Sequence, residues 1–193
     1  MSNYDLVLAV ALGVGLAAAT GFRVFLPMLI VSGAAYSGSL PLGESFAWLA
    51  TPSALTMLAV AALVETVAYY VPGVDNLLDT LATPAAFVAG TVVSAAVMTD
   101  VSPLMKWTTA VIAGGGVAGL TQSMTTLLRA KSTFFTGGLG NAALATAEVG
   151  GALIVSLLAL AAPLAAVLIV GLLLWLAVRL LRKVSRRAGR PSA

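Results

Sequence analysis

Long apolar runs, separated by short polar or glycine-rich breaks, set the pattern of this chain. A spanning helix needs about 20 mostly apolar residues. By that measure the first run extends from near Asp5 to about Val31, and others cover about 52–71, 83–98, 103–128, 142–161 and 164–181. The pattern predicts an all-α polytopic membrane protein of about six transmembrane helices, some of them broken or kinked. Residues 1–182 are read as one transmembrane domain and 183–193 as a basic tail.

The first run is the irregular one. At about 1.5 Å per residue it exceeds a bilayer core, so the helix must tilt, kink or break. It carries a single formal charge, Arg23, within Ala17-Ala18-Ala19-Thr20-Gly21-Phe22-Arg23-Val24-Phe25-Leu26-Pro27. An unpaired guanidinium in hydrocarbon is costly, and Gly21 and Pro27 allow a bend or break. In a straight helix from Asp5, Arg23 lies about 27 Å along the axis. That is near the outer surface, where the side chain can snorkel. A break at Thr20-Gly21 would instead turn the chain back and bring Arg23 to an inner carboxylate or to a substrate anion. All three placements stay open.

The connections carry their own signals. Residues 32–51 are rich in Gly, Ser and Pro, and Phe46–Ala50 suits the membrane interface, where Trp48 is favoured. Pro72-Gly73 marks a turn. Asp75 caps a short helix, and Asp79 follows at i+4 on the same face. Gly137, Gly138 and Gly140, followed by Asn141, form a glycine-rich loop opening a helix, a geometry suited to anions. Gly114-Gly115-Gly116 permit close helix packing.

Composition supports the membrane reading. Of 193 residues 60% are hydrophobic and 9% charged, with mean hydropathy +1.05, whereas a soluble domain is roughly a quarter charged. The net charge of +3 does not imply a nucleic-acid partner, because six of the ten basic residues fall in the last fifteen positions, beside an apolar helix. Charge of that kind orients a membrane protein. Six spans would put both termini on one side, cytoplasmic with the tail, together with Arg129 and Lys131. Met1 to Asp5 lacks the basic region of a signal peptide, so the first run is read as retained. Cysteine and histidine are absent. This removes disulfides, thiolate and imidazole metal sites, Cys nucleophiles and His bases. The glycine loop has no Walker-type lysine. No enzyme, metal or cofactor is expected.

The halves 5–98 and 103–181 show a loose internal likeness. Gly13 to Thr20 matches Gly114 to Thr121, and Leu81 to Ala86 matches Leu160 to Ala165. Three spans in each half would make two inverted repeats, a common transporter plan.

Intramembrane carboxylates are the best functional candidates. Glu65 lies about six residues from the inner end of its span and Glu148 about seven from the glycine loop. Both are therefore roughly 9–10 Å deep and can meet. A carboxyl in a low-dielectric place can carry a proton or bind a cation. Asp75, Asp79, Asn76 and Asn141 can complete an oxygen-rich inner vestibule that suits hard cations.

Three motifs taken together resemble a bacterial family of small integral membrane proteins classed as a domain of unknown function. They are Ala19-Thr20-Gly21-Phe22-Arg23-Val24-Phe25-Leu26-Pro27, Pro72-Gly73-Val74-Asp75-Asn76-Leu77-Leu78-Asp79 and Thr136-Gly137-Gly138-Leu139-Gly140-Asn141. The resemblance implies a multi-pass protein of the bacterial inner membrane and supplies no activity. The functional expectation is a small homo-oligomeric transporter or channel for an ion or solute, coupled to protons or cations through Glu65 and Glu148. The alternative is a scaffold that binds lipid or a partner membrane protein and whose charges pair among themselves.

Overall fold

A computed structural model describes residues 3–71 and 73–188, with the side chains of Asn3, Asn76, Ala177 and residues 180–188 outside what is described. The expectations placed on the Asn76 side chain and on the basic side chains from residue 183 onward lie outside the described residues. Among those that are described, every regular element is helical. In chain order they are α1 (Asn3–Thr20), α2 (Phe25–Tyr36), a 3-10 turn (Glu44–Ala50), α3 (Pro52–Ala68) and α4 (Val74–Val97). One long helix from Pro103 to Thr136 follows, made of α5 (Pro103–Thr109), a π-helical stretch (Ala110–Gly115) and α6 (Gly116–Thr136). Then come α7 (Asn141–Ala161) and α8 (Pro163–Ala188).

The first apolar run breaks at Gly21. The last turn of α1 tightens there: the Thr20 hydroxyl donates to the Ala17 carbonyl at 2.7 Å, and the Gly21 amide donates to Ala18 at 3.1 Å. Only glycine fits this point, because a Cβ would run into Thr121 and the Ala118 carbonyl of α6. The chain then reverses. Gly13 lies against Ser94 and Met98 at the end of α4, while Thr20 lies against Gly90, so α1 runs antiparallel to α4. Gly15 meets Ala159 and Arg23 meets Ala145, so α1 is antiparallel to α7 as well. α2 returns alongside α4, with Val24 packed near Ala86 and Val31 near Val93 and Val97. α1 and α2 are thus a helical hairpin whose tip is Gly21–Val24. The two ends of the described chain consequently lie at opposite ends of the bundle, where an unbroken first span among six would put them together.

α1 is the hub. Leu16, Ala17, Ala18 and Ala19 are fully buried against α4, α7 and α8. Its small side chains let those helices approach, as small residues do in membrane bundles. The same device joins α4 to the π-helical stretch, where a Cβ on Gly114 would lie 2.6 Å from that of Ser94.

Other boundaries differ from the sequence pattern. The expected short capping helix at Asp75 and the expected span 83–98 are one helix, α4, with Pro84 inside it. The piece Phe46–Ala50 does not simply rest at an interface. Phe46 and Leu49 are buried against Ala95, Ala96 and Ala110, and the Ser32 hydroxyl donates to the Leu49 carbonyl at 2.6 Å. The segments read as internal repeats occupy unlike places: Gly13–Thr20 ends at the break and Gly114–Thr121 continues a helix. Pro84 sits within α4 and Pro163 begins α8. Three stretches, Leu77–Val97, Pro103–Thr136 and Asn141–Ala161, are long and apolar enough to cross a membrane. The bent pair of the 3-10 turn and α3, at 68°, makes a fourth if taken as one span.

Candidate functional site: an ionic cluster at the hairpin tip

The reversal turns Arg23 inward, where it is 1% exposed. Its Nη2 lies 3.1 Å from Glu148 Oε2 on α7 and donates to the Ala145 carbonyl at 3.1 Å. Arg129, on α6 and also 1% exposed, donates to the same Glu148 oxygen and faces Asp79 of α4 through Nε at 3.1 Å. Two cations and two anions are thereby neutralised within one buried cluster. Tyr69, at the end of α3, holds both cations: Cζ of Arg23 is 3.9 Å and that of Arg129 4.6 Å from its ring centroid. Desolvated cation–π contacts of this kind contribute about 2 kcal/mol.

Glu65 has a different task. Its two oxygens accept from the amides of Val24 and Phe25 at 2.8 and 3.0 Å. Those amides open α2, so a carboxylate from α3 caps the helix across the hairpin tip, where the helix dipole favours negative charge. Glu65 and Glu148 both border Arg23, on different partners.

The vestibule residues form a second layer. Asp75 accepts from the Gly73 amide at 3.0 Å and from Asn141 Nδ2 at 2.7 Å. Asn141 also donates to Thr133 at 3.0 Å. This joins the starts of α4 and α7 to the end of α6. Gly137 and Gly138 adopt φ of 63° and 92°, a left-handed turn that favours glycine. The amides of Leu139, Gly140 and Asn141 bond within the turn to Thr136 and Gly138, so these three are committed to closing it. A cavity of about 280 Å³ opens here, lined by Tyr69, Asp75, Thr133, Gly138 and Asn141 among others. An apolar groove of about 510 Å³ lies between α3 and α4, with Glu65 on its wall. Tyr69 lines both.

Beyond the cluster, α6 carries a buried polar stripe of Thr121, Gln122, Thr125 and Arg129, and Thr20 and Ser94 are buried nearby. Several N–H groups of the cluster have no acceptor among the described residues: Arg23 Nε and Nη1, and Arg129 Nη1.

Of the site residues expected from sequence, the structure brings Arg23, Glu148, Glu65 and Asp79 to one place, with Asp75 and Asn141 one layer out. Arg129 and Tyr69 were not singled out. Arg129 reads as a loop charge after a span ending near 128, yet α6 continues to Thr136. The polar residues at 121, 125 and 129, spaced four apart, are the signal that would have placed it. For Tyr69 the signal is the i,i+4 spacing from Glu65, which puts both on one face of α3.

Fold and site together define a class: an all-helical protein with helices fit to cross a membrane and a buried, internally neutralised ionic cluster. The chain belongs to the family described as a domain of unknown function (DUF4126), whose model matches residues 10–183. This agrees with the resemblance to a family of unknown function and assigns no activity. No curated protein matches the chain, and no solved structure does.

Proposed function

We propose that the protein is a small transporter whose pathway runs from the Tyr69–Asp75–Asn141 vestibule through the ionic cluster and along the polar stripe of α6. The observation that carries this reading is the cluster at a helical reversal beneath an open cavity. Non-helical backbone at membrane depth is tolerated where it is buried in protein or lines a water-filled path, and discontinuous helices build the central sites of many transporters. The π-helical stretch, beside Ser94, supports the same reading, because π segments recur at functional sites. In the described conformation Tyr69 and the Arg23–Glu148–Arg129 contacts close the path. Coupling runs through Glu148, whose two partners are side chains able to move; Glu65 serves as a cap.

The orientation that goes with it puts the basic tail, Arg129 and Lys131 in the cytoplasm of a bacterial cell, by the excess of cytoplasmic positive charge. The hairpin then starts α1 from the opposite face. Assembly into a homo-oligomer completes the reading, since few helices surround the path. Enzymatic chemistry plays no part in it.

The test is flux in proteoliposomes: pyranine-reported proton movement under an imposed potential and, separately, under an imposed anion gradient, with chloride, nitrate, formate, Na⁺ and K⁺ offered in turn. Glu148→Gln should reduce the flux at least about tenfold, a loss of some 1.4 kcal/mol in the rate-limiting step. Wild-type flux no greater than that of empty vesicles with every ion would end the transport reading. The second reading, a non-transporting scaffold, draws on the pairing of the cluster's charges among themselves, and an absence of flux would favour it.

A further inference from the structure

Both guanidiniums of the cluster converge on one oxygen of one carboxylate, Glu148 Oε2. We infer that Arg23 and Arg129 form an anion site in which the Glu148 side chain is a tethered, displaceable occupant, and that the natural substrate is a small carboxylate anion carried together with one proton. The inference rests on the transport reading and names its substrate class.

Three features point to an anion. First, Glu148 uses a single oxygen for both arginines and leaves Arg23 Nε and Nη1 and Arg129 Nη1 without acceptors, although both side chains are 99% buried. A free carboxylate presents two oxygens to planar, forked donors and can satisfy N–H groups that the tethered one leaves bare. Second, Glu65 is fixed by two backbone amides of α2, whereas Asp79 pairs with the Arg129 side chain at the edge of the cluster. Glu148 is held by side chains alone. Third, the vestibule borders the cluster. The vestibule and the cluster share Tyr69, whose ring lies against both guanidiniums.

Charge balance supplies the proton. Arg23 and Arg129 balance Glu148 and Asp79, while the amides and dipole at the start of α2 compensate Glu65. Adding one anion leaves the buried site at −1, and a proton on the displaced Glu148 restores neutrality. The groups that bear on Glu148 are Arg23 from the hairpin tip, Arg129 from α6, Asp79 from α4, and Tyr69 and Glu65 from α3 through Arg23. No covalent bond forms or breaks. The anion moves to the arginines and the proton moves from vestibule water to the Glu148 carboxyl.

The probe is formate, the size of the carboxylate it replaces. Thermal unfolding of purified Glu148→Ala in detergent should shift upward by about 3 °C or more at tenfold excess formate over its Kd. Adding Arg23→Gln to that variant should abolish the shift. In the wild type, formate should stabilise near pH 5 and not near pH 8, because displacement takes up one proton and protons are about a thousandfold scarcer at the higher pH. No shift in Glu148→Ala, or an equal shift when Arg23→Gln is added, overturns the inference. Should Glu148→Ala not fold, the wild-type pair of pH values decides, and a formate effect absent at both overturns it. A formate shift without flux in vesicles keeps the anion site and removes the transport reading. Flux that depends on Glu148 without a formate shift does the reverse.

Discussion

At the residue scale, Arg23 shows how a single charge is kept inside an apolar bundle. Its head is shared among Glu148, the Ala145 carbonyl and the Tyr69 ring. Removing one partner of a buried pair costs about 3–5 kcal/mol, because the remaining charge stays buried without compensation. Arg23→Ala should therefore lower the unfolding midpoint in detergent by roughly 10 °C, at about 2–4 °C per kcal/mol for a chain of this size. Arg23→Lys should recover only part of it. A lysine keeps the charge but lacks the planar fork that meets a carboxylate and a carbonyl while stacking on a ring. Full recovery with lysine would mean that charge alone holds the tip. Tyr69 makes the complementary point. Tyr70 is the same residue one position on, yet Tyr69 is buried against two guanidiniums and Tyr70 is 45% exposed.

At the element scale, the hairpin tip depends on a cap that comes from far along the chain. α2 opens without a side-chain cap of its own, and Glu65, some forty residues later, accepts from its first amides. Hydrogen bonds to a charged group contribute about 1.5–3 kcal/mol. Glu65→Ala should accelerate hydrogen exchange of the Val24 and Phe25 amides by about tenfold or more, with little change in the middle of α4. Unchanged exchange at those two amides would show that the cap is dispensable. Gly21 is the other requirement, since any Cβ there meets α6 backbone as well as the Thr121 side chain. The sequence does mark this glycine as a possible break. The straight-helix alternative fails because the collision partner, residues 118–121, lies about a hundred positions away.

At the scale of the whole molecule, the reversal decides the topology. With α1 and α2 as a hairpin, Tyr4 and Ser39 share one end of the bundle and Leu139 lies at the other. The chain has no cysteine, so single cysteines can be introduced and read directly. Tyr4→Cys and Ser39→Cys should react with a membrane-impermeant maleimide from the same side, and Leu139→Cys, exposed at the vestibule, only from the opposite side. An unbroken first span would put Tyr4 and Ser39 on different sides, so that result would refute the hairpin. Exposed apolar surface is abundant at this scale. α3 exposes Met57, Val60, Leu63, Val64 and Val67 and is packed chiefly on α2 and the 3-10 turn.

What the sequence determined by itself is whatever depends on local composition. Long apolar runs, scarce charges and the absence of cysteine and histidine made a helical, membrane-compatible protein legible. The few acidic residues and Arg23 could be picked out because a charge in an apolar run demands a partner wherever it ends up. What only the tertiary structure decided is which partner. Pairing Arg23 with Glu148, bringing in Arg129 and Tyr69, and giving Glu65 to a helix end all required the chain to turn back at Gly21. That turn is a contest between helix continuation, which is local, and the close crossing of α1 over α6, which is not. Distant contacts win there, because a helix end that is capped, packed and charge-neutralised by four other segments outweighs the few hydrogen bonds of one more helical turn.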